Sequence, residues 1–159
     1  MFTEVTGNIL TAQQGVIFQG VNCQGVMGSG LALQIRTRYP KVFKDYTSHL
    51  ARKHAQNADP LGSVCVSLLE QTDSHILCVA NCFTQRHYGR NSEICYLDYG
   101  ALEKSIREVY VRFDVFEPGI RFHIPRIGCG LANGDYTRVR QLLVGIASEY
   151  PGIYTLHYT

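Results

Sequence analysis

Short apolar runs closed by turn residues alternate along this chain with longer stretches of helical period, an alternation few architectures can accommodate. Strands buried on both faces read as near-continuous apolar runs, and the helices that cover such a sheet each carry one apolar stripe. Thr3–Thr6, Val16–Asn22, Ser63–Leu69, His75–Asn81, Arg121–Ile124 and Ile153–Tyr158 fit the first description. Leu102, Ile106, Val109, Tyr110 and Phe113 recur at helical spacing, as do Val139, Leu142, Leu143 and Ile146, and fit the second. Two earlier helices are expected, one from near Gly30 to Tyr39 and one from Val42 to Lys53, because Pro40 disfavours helical geometry at the residue before it. The pattern predicts an α/β layer fold around a largely buried sheet.

At 159 residues the chain fits one domain, and 45% hydrophobic against 18% charged residues is the balance of a compact core rather than a disordered tail. Asn57–Gly62 reads as a connection within that domain. A net charge of +2 is too mild for electrostatic nucleic-acid binding, which asks for Lys and Arg clustered on one face. The opening Met1-Phe2-Thr3-Glu4-Val5 lacks a basic n-region and an apolar h-region, and no run approaches the ~20 apolar residues of a membrane span, so a cytoplasmic chain with no membrane partner is expected. Six cysteines form no paired CxxC units, so reduced thiols and no metal site are expected. Cys78 and Cys82 should share one face of a strand.

Two segments carry the chemistry. Val21-Asn22-Cys23-Gln24-Gly25-Val26-Met27-Gly28-Ser29-Gly30-Leu31-Ala32 runs from a strand through a glycine-rich turn into a helix. Such a turn brings backbone amides close to a ligand, and the helix N-terminus adds positive partial charge, so pyrophosphate is the natural guest and a plain turn the alternative. It is neither a Walker A nor a GxGxxG loop. Phe122-His123-Ile124-Pro125-Arg126-Ile127-Gly128-Cys129-Gly130-Leu131-Ala132 repeats the strand-to-glycine-loop arrangement, and loops at the carboxyl ends of parallel strands can close on one diphosphate from opposite sides.

Gly7-Asn8-Ile9, Val21-Asn22 with Gly28 to Ala32, and Pro125 to Leu131, in this order and spacing, resemble macrodomains. The likeness is to the small branch that holds phage and bacterial ADP-ribose 1''-phosphate phosphatases and the human terminal ADP-ribose protein glycohydrolase. It covers nearly the whole chain. It implies a three-layer α/β/α fold with a mixed, mostly parallel sheet of about six strands, one domain over 1–159, and a monomer that needs no cofactor. It places Asn8 and Ile9 beside adenine, Asn22 near the distal ribose, and the diphosphate among Gln24, Gly28, Ser29, Gly30 and Leu31 on one side and Arg126, Gly128, Cys129, Gly130 and Leu131 on the other. Many macrodomains have Asp where this chain has Asn8; an Asx-turn is that residue's other reading.

Asp135 follows the second loop at a helix start, where a carboxylate can activate water or simply cap the helix. Asn81 to Arg90 should line the crevice. Gln85, Tyr88 and Gly89 are similar to phage-type phosphatase-like members, and His87 is a candidate acid or base or a solvated surface residue. Arg86 and Arg90 can meet a phosphate or water. The terminal glycohydrolase uses a Lys in this region and an Asp directly after the Cys-Gly-Leu stretch; this chain has no Lys between Lys53 and Lys104, and Ala132 follows Leu131. The resemblance thus implies hydrolysis of an ADP-ribose derivative, ADP-ribose 1''-phosphate first. Removal of ADP-ribose from a modified protein or nucleic acid, and binding without turnover, are the alternatives.

Overall fold

The computed structural model describes residues 2–114, 119–150 and 152–158. In chain order its elements are β1 (Phe2–Thr6), a 3-10 turn (Ile9–Thr11), β2 (Gly15–Asn22), α1 (Gly30–Arg38), α2 (Pro40–Ala55), β3 (Val64–Gln71), β4 (Ile76–Gln85), α3 (Tyr99–Asp114), β5 (Arg121–Ile124), α4 (Tyr136–Ala147) and β6 (Ile153–Tyr158). Six strands form one sheet in the order β1-β6-β5-β2-β4-β3. Only the β3–β4 pair is antiparallel, so the sheet is mixed and mostly parallel.

The period of two sorts the strands' side chains between two cores. Val16, Phe18, Cys78, Ala80 and Cys82 face α3 and α4, where Leu102, Ile106, Val139 and Leu143 lie fully buried. Ile17, Val21, Leu77, Val79 and Phe83 face the other way, onto Ile35 of α1 and Val42 and Tyr46 of α2. Helices therefore cover both faces, giving the three-layer α/β/α arrangement, and Cys78 and Cys82 do share a face. Burial pushes the Cys82 thiol up to about 12, which makes it a small core residue and not a nucleophile.

Pro40 acts at the position expected of it. Tyr39 leaves helical geometry (φ −127°, ψ 77°), and Pro40 then opens α2 at its first turn, where its missing N–H has no partner to lose. The second helix is longer than expected, Pro40–Ala55 rather than Val42 to Lys53. β4 also outruns its expected end at Asn81, continuing through Cys82, Phe83 and Thr84 to Gln85. Its polar members look like loop but are buried: the Asn81 Nδ2 donates to the Cys65 carbonyl at 2.8 Å. No helix among the described residues is long and apolar enough to cross a membrane.

Candidate functional site

The crevice exists because neighbouring strands stop at different heights. β2 pairs with β4 as far as Asn22↔Gln85, whereas its pairing with β5 ends at Ile17↔His123. β5 stops at Ile124, before Pro125, which has no N–H to give a ladder. Above that step lies a cavity of about 780 Å³, walled by Gly28 to Ala32 on one side and by Pro125 to Gly128 and Gly130 to Ala132 on the other. Both glycine-rich loops open onto it, where the connections leaving β2 and β5 lead to opposite faces of the sheet.

The first loop is fastened from beneath. The Asn22 Nδ2 donates to the Val26 carbonyl (2.8 Å), and its Oδ1 accepts from the Gln24 amide (2.9 Å). Tyr46, reaching up from α2, accepts from the Gly25 amide (3.0 Å) and donates back to the Asn22 carbonyl (2.7 Å), with Asn22 Oδ1 also within reach at 2.9 Å. Burial pushes its hydroxyl up to about 12, so that proton stays on. Gly25 (φ +80°) and Gly30 (φ +57°) take the left-handed conformations that let the loop turn this tightly. Ser29 precedes α1 without a side-chain capping bond, which leaves the first-turn amides of that helix for an anion.

The second loop is stiffened by packing. Gly128 (φ +73°) sits so close to Leu97 that a Cβ there would come within 2.7 Å of it, and its carbonyl accepts from the Gly134 amide at 2.8 Å. The Arg126 guanidinium lies 4.2 Å from the Tyr136 ring centroid, at the crevice wall. The third wall is the segment after β4. Gln85, Tyr88, Gly89 and Arg90 line the cavity, with Gln85 Nε2 fixed on the His87 carbonyl at 2.8 Å.

Several expected site residues also have local duties, and some of them lie outside the cavity lining. Asp135 lies outside the lining; its Oδ1 caps α4 by accepting from the Thr137 amide at 3.0 Å, so the capping reading accounts for it. His87 is exposed and also outside the lining. Arg86 is turned away onto Asp59 in a two-pronged ion pair (2.8 and 3.2 Å), which holds the Asp59 carboxyl below its ordinary range. Gln24 reaches sideways to the Arg86 carbonyl (2.8 Å), and Cys129 is half-buried beside the core, where burial pushes its thiol up. Asn8 caps the 3-10 turn through Leu10 N (2.9 Å) and Ile9 is core, both outside the lining.

Sequence reasoning missed two residues. Tyr46 gives no signal in sequence, since it sits on an ordinary amphipathic helix and reaches the loop only through the fold. Gln19 does give one: it is the single polar side chain inside the apolar run Val16 to Val21, and it is 1% exposed at the cavity wall. Among the described residues that line the cavity, Arg90 and Arg126 carry the only charges; no Asp, Glu, His or Lys is there.

Comparison with known proteins points one way. The sequence model for the family described as "Macro domain" matches residues 19–143. A "DNA ADP-ribosyl glycohydrolase" from Mycobacterium tuberculosis is 30% identical over 162 aligned residues, covering 99% of this chain and 42% of the relative. An "ADP-ribose 1''-phosphate phosphatase" from Saccharomyces cerevisiae is 34% identical over 107 residues, 64% of this chain and 58% of that one. The matches thus span 42% and 58% of the length of these curated relatives. Among solved structures, the DarG macrodomain of M. tuberculosis superposes with a TM-score of 0.78 at 22% identity, over 100% of this chain and 98% of that one. Thermosipho africanus DarTG in complex with ADP-ribose gives 0.79 at 18% identity, over 98% of this chain and 41% of that one.

Proposed function

Because the chain belongs to the Macro domain family, we propose that the crevice binds ADP-ribose and that the protein hydrolyses ADP-ribose 1''-phosphate to ADP-ribose and phosphate. The diphosphate lies between the amides of the two glycine loops, and adenine extends toward Asn8 and Ile9. The distal ribose lies near Asn22, Gln85 and Tyr88.

The chemistry of the lining carries the choice of reaction. Glycosidic hydrolysis ordinarily uses a pair of carboxyl groups, and the described lining offers none. Phosphoryl transfer asks for less from the protein: its transition state is loose, and positioning plus charge stabilisation do most of the work. Two arginines and loop amides supply both. A water oxygen bonds to phosphorus, the bond from phosphorus to the 1'' oxygen breaks, and a water proton passes to that departing oxygen through the substrate's own phosphate. Arg90 neutralises charge on the transferring group.

Purified protein incubated with ADP-ribose 1''-phosphate is expected to release phosphate, and Arg90→Ala to slow that release without abolishing ADP-ribose binding. Binding without release would leave a sequestering module; indifference to ADP-ribose in calorimetry would defeat the whole reading. A second reaction, removal of ADP-ribose from DNA, is favoured by the match of 99% of this chain to 42% of the mycobacterial glycohydrolase. Tyr88 and Leu131, 54% and 46% exposed at the crevice wall, offer apolar surface to a departing base. Release of ADP-ribose from a modified oligonucleotide, with the phosphate ester untouched, would establish it in place of the first.

A further inference from the structure

We propose that Gln19 recognises the nucleotide directly, its carboxamide oxygen accepting a hydrogen bond from an amino or hydroxyl group at the crevice floor. The inference rests on the reading of this crevice as an ADP-ribose site, and adds to it a contact that neither glycine loop can make.

The orientation of Gln19 follows from one backbone atom. The Cys65 carbonyl can only accept, so Asn81 presents its Nδ2 there, at 2.8 Å. The Asn81 Oδ1 is then left to accept, and it takes the Gln19 Nε2 at 2.6 Å. Both amides are buried, and neither can flip without setting oxygen against oxygen. Gln19 Oε1 is therefore the free end of the relay, buried and without a partner. Asn81 belongs to β4, on one side of β2, whereas the crevice opens on the β5 side, above Pro125. Gln19 itself lines that crevice, so the relay leaves its unpartnered oxygen in a residue of the crevice wall.

A buried acceptor with no partner is costly, and such an atom in a site wall implies that something bound there supplies the donor. The floor attracts N–H or O–H and repels phosphate oxygens. It complements the loops, whose amides attract phosphate. Together they fix which way round a nucleotide enters.

The test is a calorimetric cycle of wild type and Gln19→Met against ADP-ribose and three analogues. One has the adenine amino group replaced by oxygen, one lacks the 2' and 3' hydroxyls of the adenosine ribose, and ADP lacks the distal ribose. Gln19→Met is expected to weaken ADP-ribose binding about tenfold, the loss of one hydrogen bond, and to have no effect on the one analogue that lacks the donor. Equal affinity of both proteins for ADP-ribose would overturn the proposal, assigning the oxygen to a buried water. The same weakening for all three analogues would also overturn it, because Gln19 would then act through the fold alone. Wild type that binds ADP-ribose with Gln19→Met unchanged refutes this contact only, whereas wild type that binds none refutes the site. Should Gln19→Met not fold, the Gln19 carboxamide resonance of the wild type decides: it shifts on saturation with ADP-ribose if the contact is made, and stays put if it is not.

Discussion

A Cβ built on Gly28 meets only the Val26 side chain, at 3.4 Å, so the backbone there has room for a side chain that the crevice does not. Gly28→Glu is expected to fold normally and to lose ADP-ribose binding, because the carboxylate would stand where the diphosphate belongs; calorimetry beside a thermal melt checks both halves. Tyr46→Phe keeps the ring stacked on Phe83 (5.5 Å between centroids) but strips the hydroxyl from Asn22 and Gly25. It should lower stability by about 1–3 kcal/mol through the stranded polar groups. It should also raise the Kd for ADP-ribose, since the loop must then order itself on binding. Tyr110→Phe is the control: it removes a buried hydroxyl with no partner and should leave the Kd alone. Asp135→Ala removes a helix cap, for a loss of about 1 kcal/mol, and phosphate release should continue at the wild-type rate.

Elements were easier to foresee than the residues' partners. Among the described residues the strands and helices fall where period and punctuation put them, α2 and β4 running further, because each buries a face and burial writes itself into spacing. What spacing does not carry is height. That β2 rises past β5 depends on Pro125 just after one strand and on the continued pairing of another, and the crevice depends on that difference. β4 hid its last residues for a related reason: Asn81 and Thr84 are polar yet fully buried, and Asn81 finds its partners only across the sheet. α1 is a weak amphipath with Ile35 as its one buried residue, since Leu31 and Ala32 lie at the edge of the core and also line the cavity. Asp135 and Asn8, which local sequence allowed as site residues or as caps, both make the caps.

Over the molecule as a whole, one buried and two half-buried histidines make stability sensitive to acid. His49, against Phe83 and hydrogen-bonded to Ser63 Oγ at 2.9 Å, is held down to about 4, chiefly by burial and further by Lys53, Arg52 and Arg112, with Glu108 opposing. His123 and His157, 3.1 Å apart across neighbouring strands, are lowered too, each mainly by burial. An unfolded histidine titrates near 6.5, so below that pH the unfolded chain takes up protons the folded one refuses. This part of the stability is complete above about pH 6.5 and is lost as the pH falls toward 4. Urea midpoints measured down that range should fall, and His49→Gln should fall less steeply. The pairing of β1 with β6 has a consequence of a different kind. Phe2 and Tyr154 are neighbours in the sheet although nearly the whole fold lies between them in sequence, so a ribosome makes β1 long before β6. Until β6 emerges, β1 has no companion and the flank of β5 lies bare, so the nascent domain is most exposed to sticking to others in that interval.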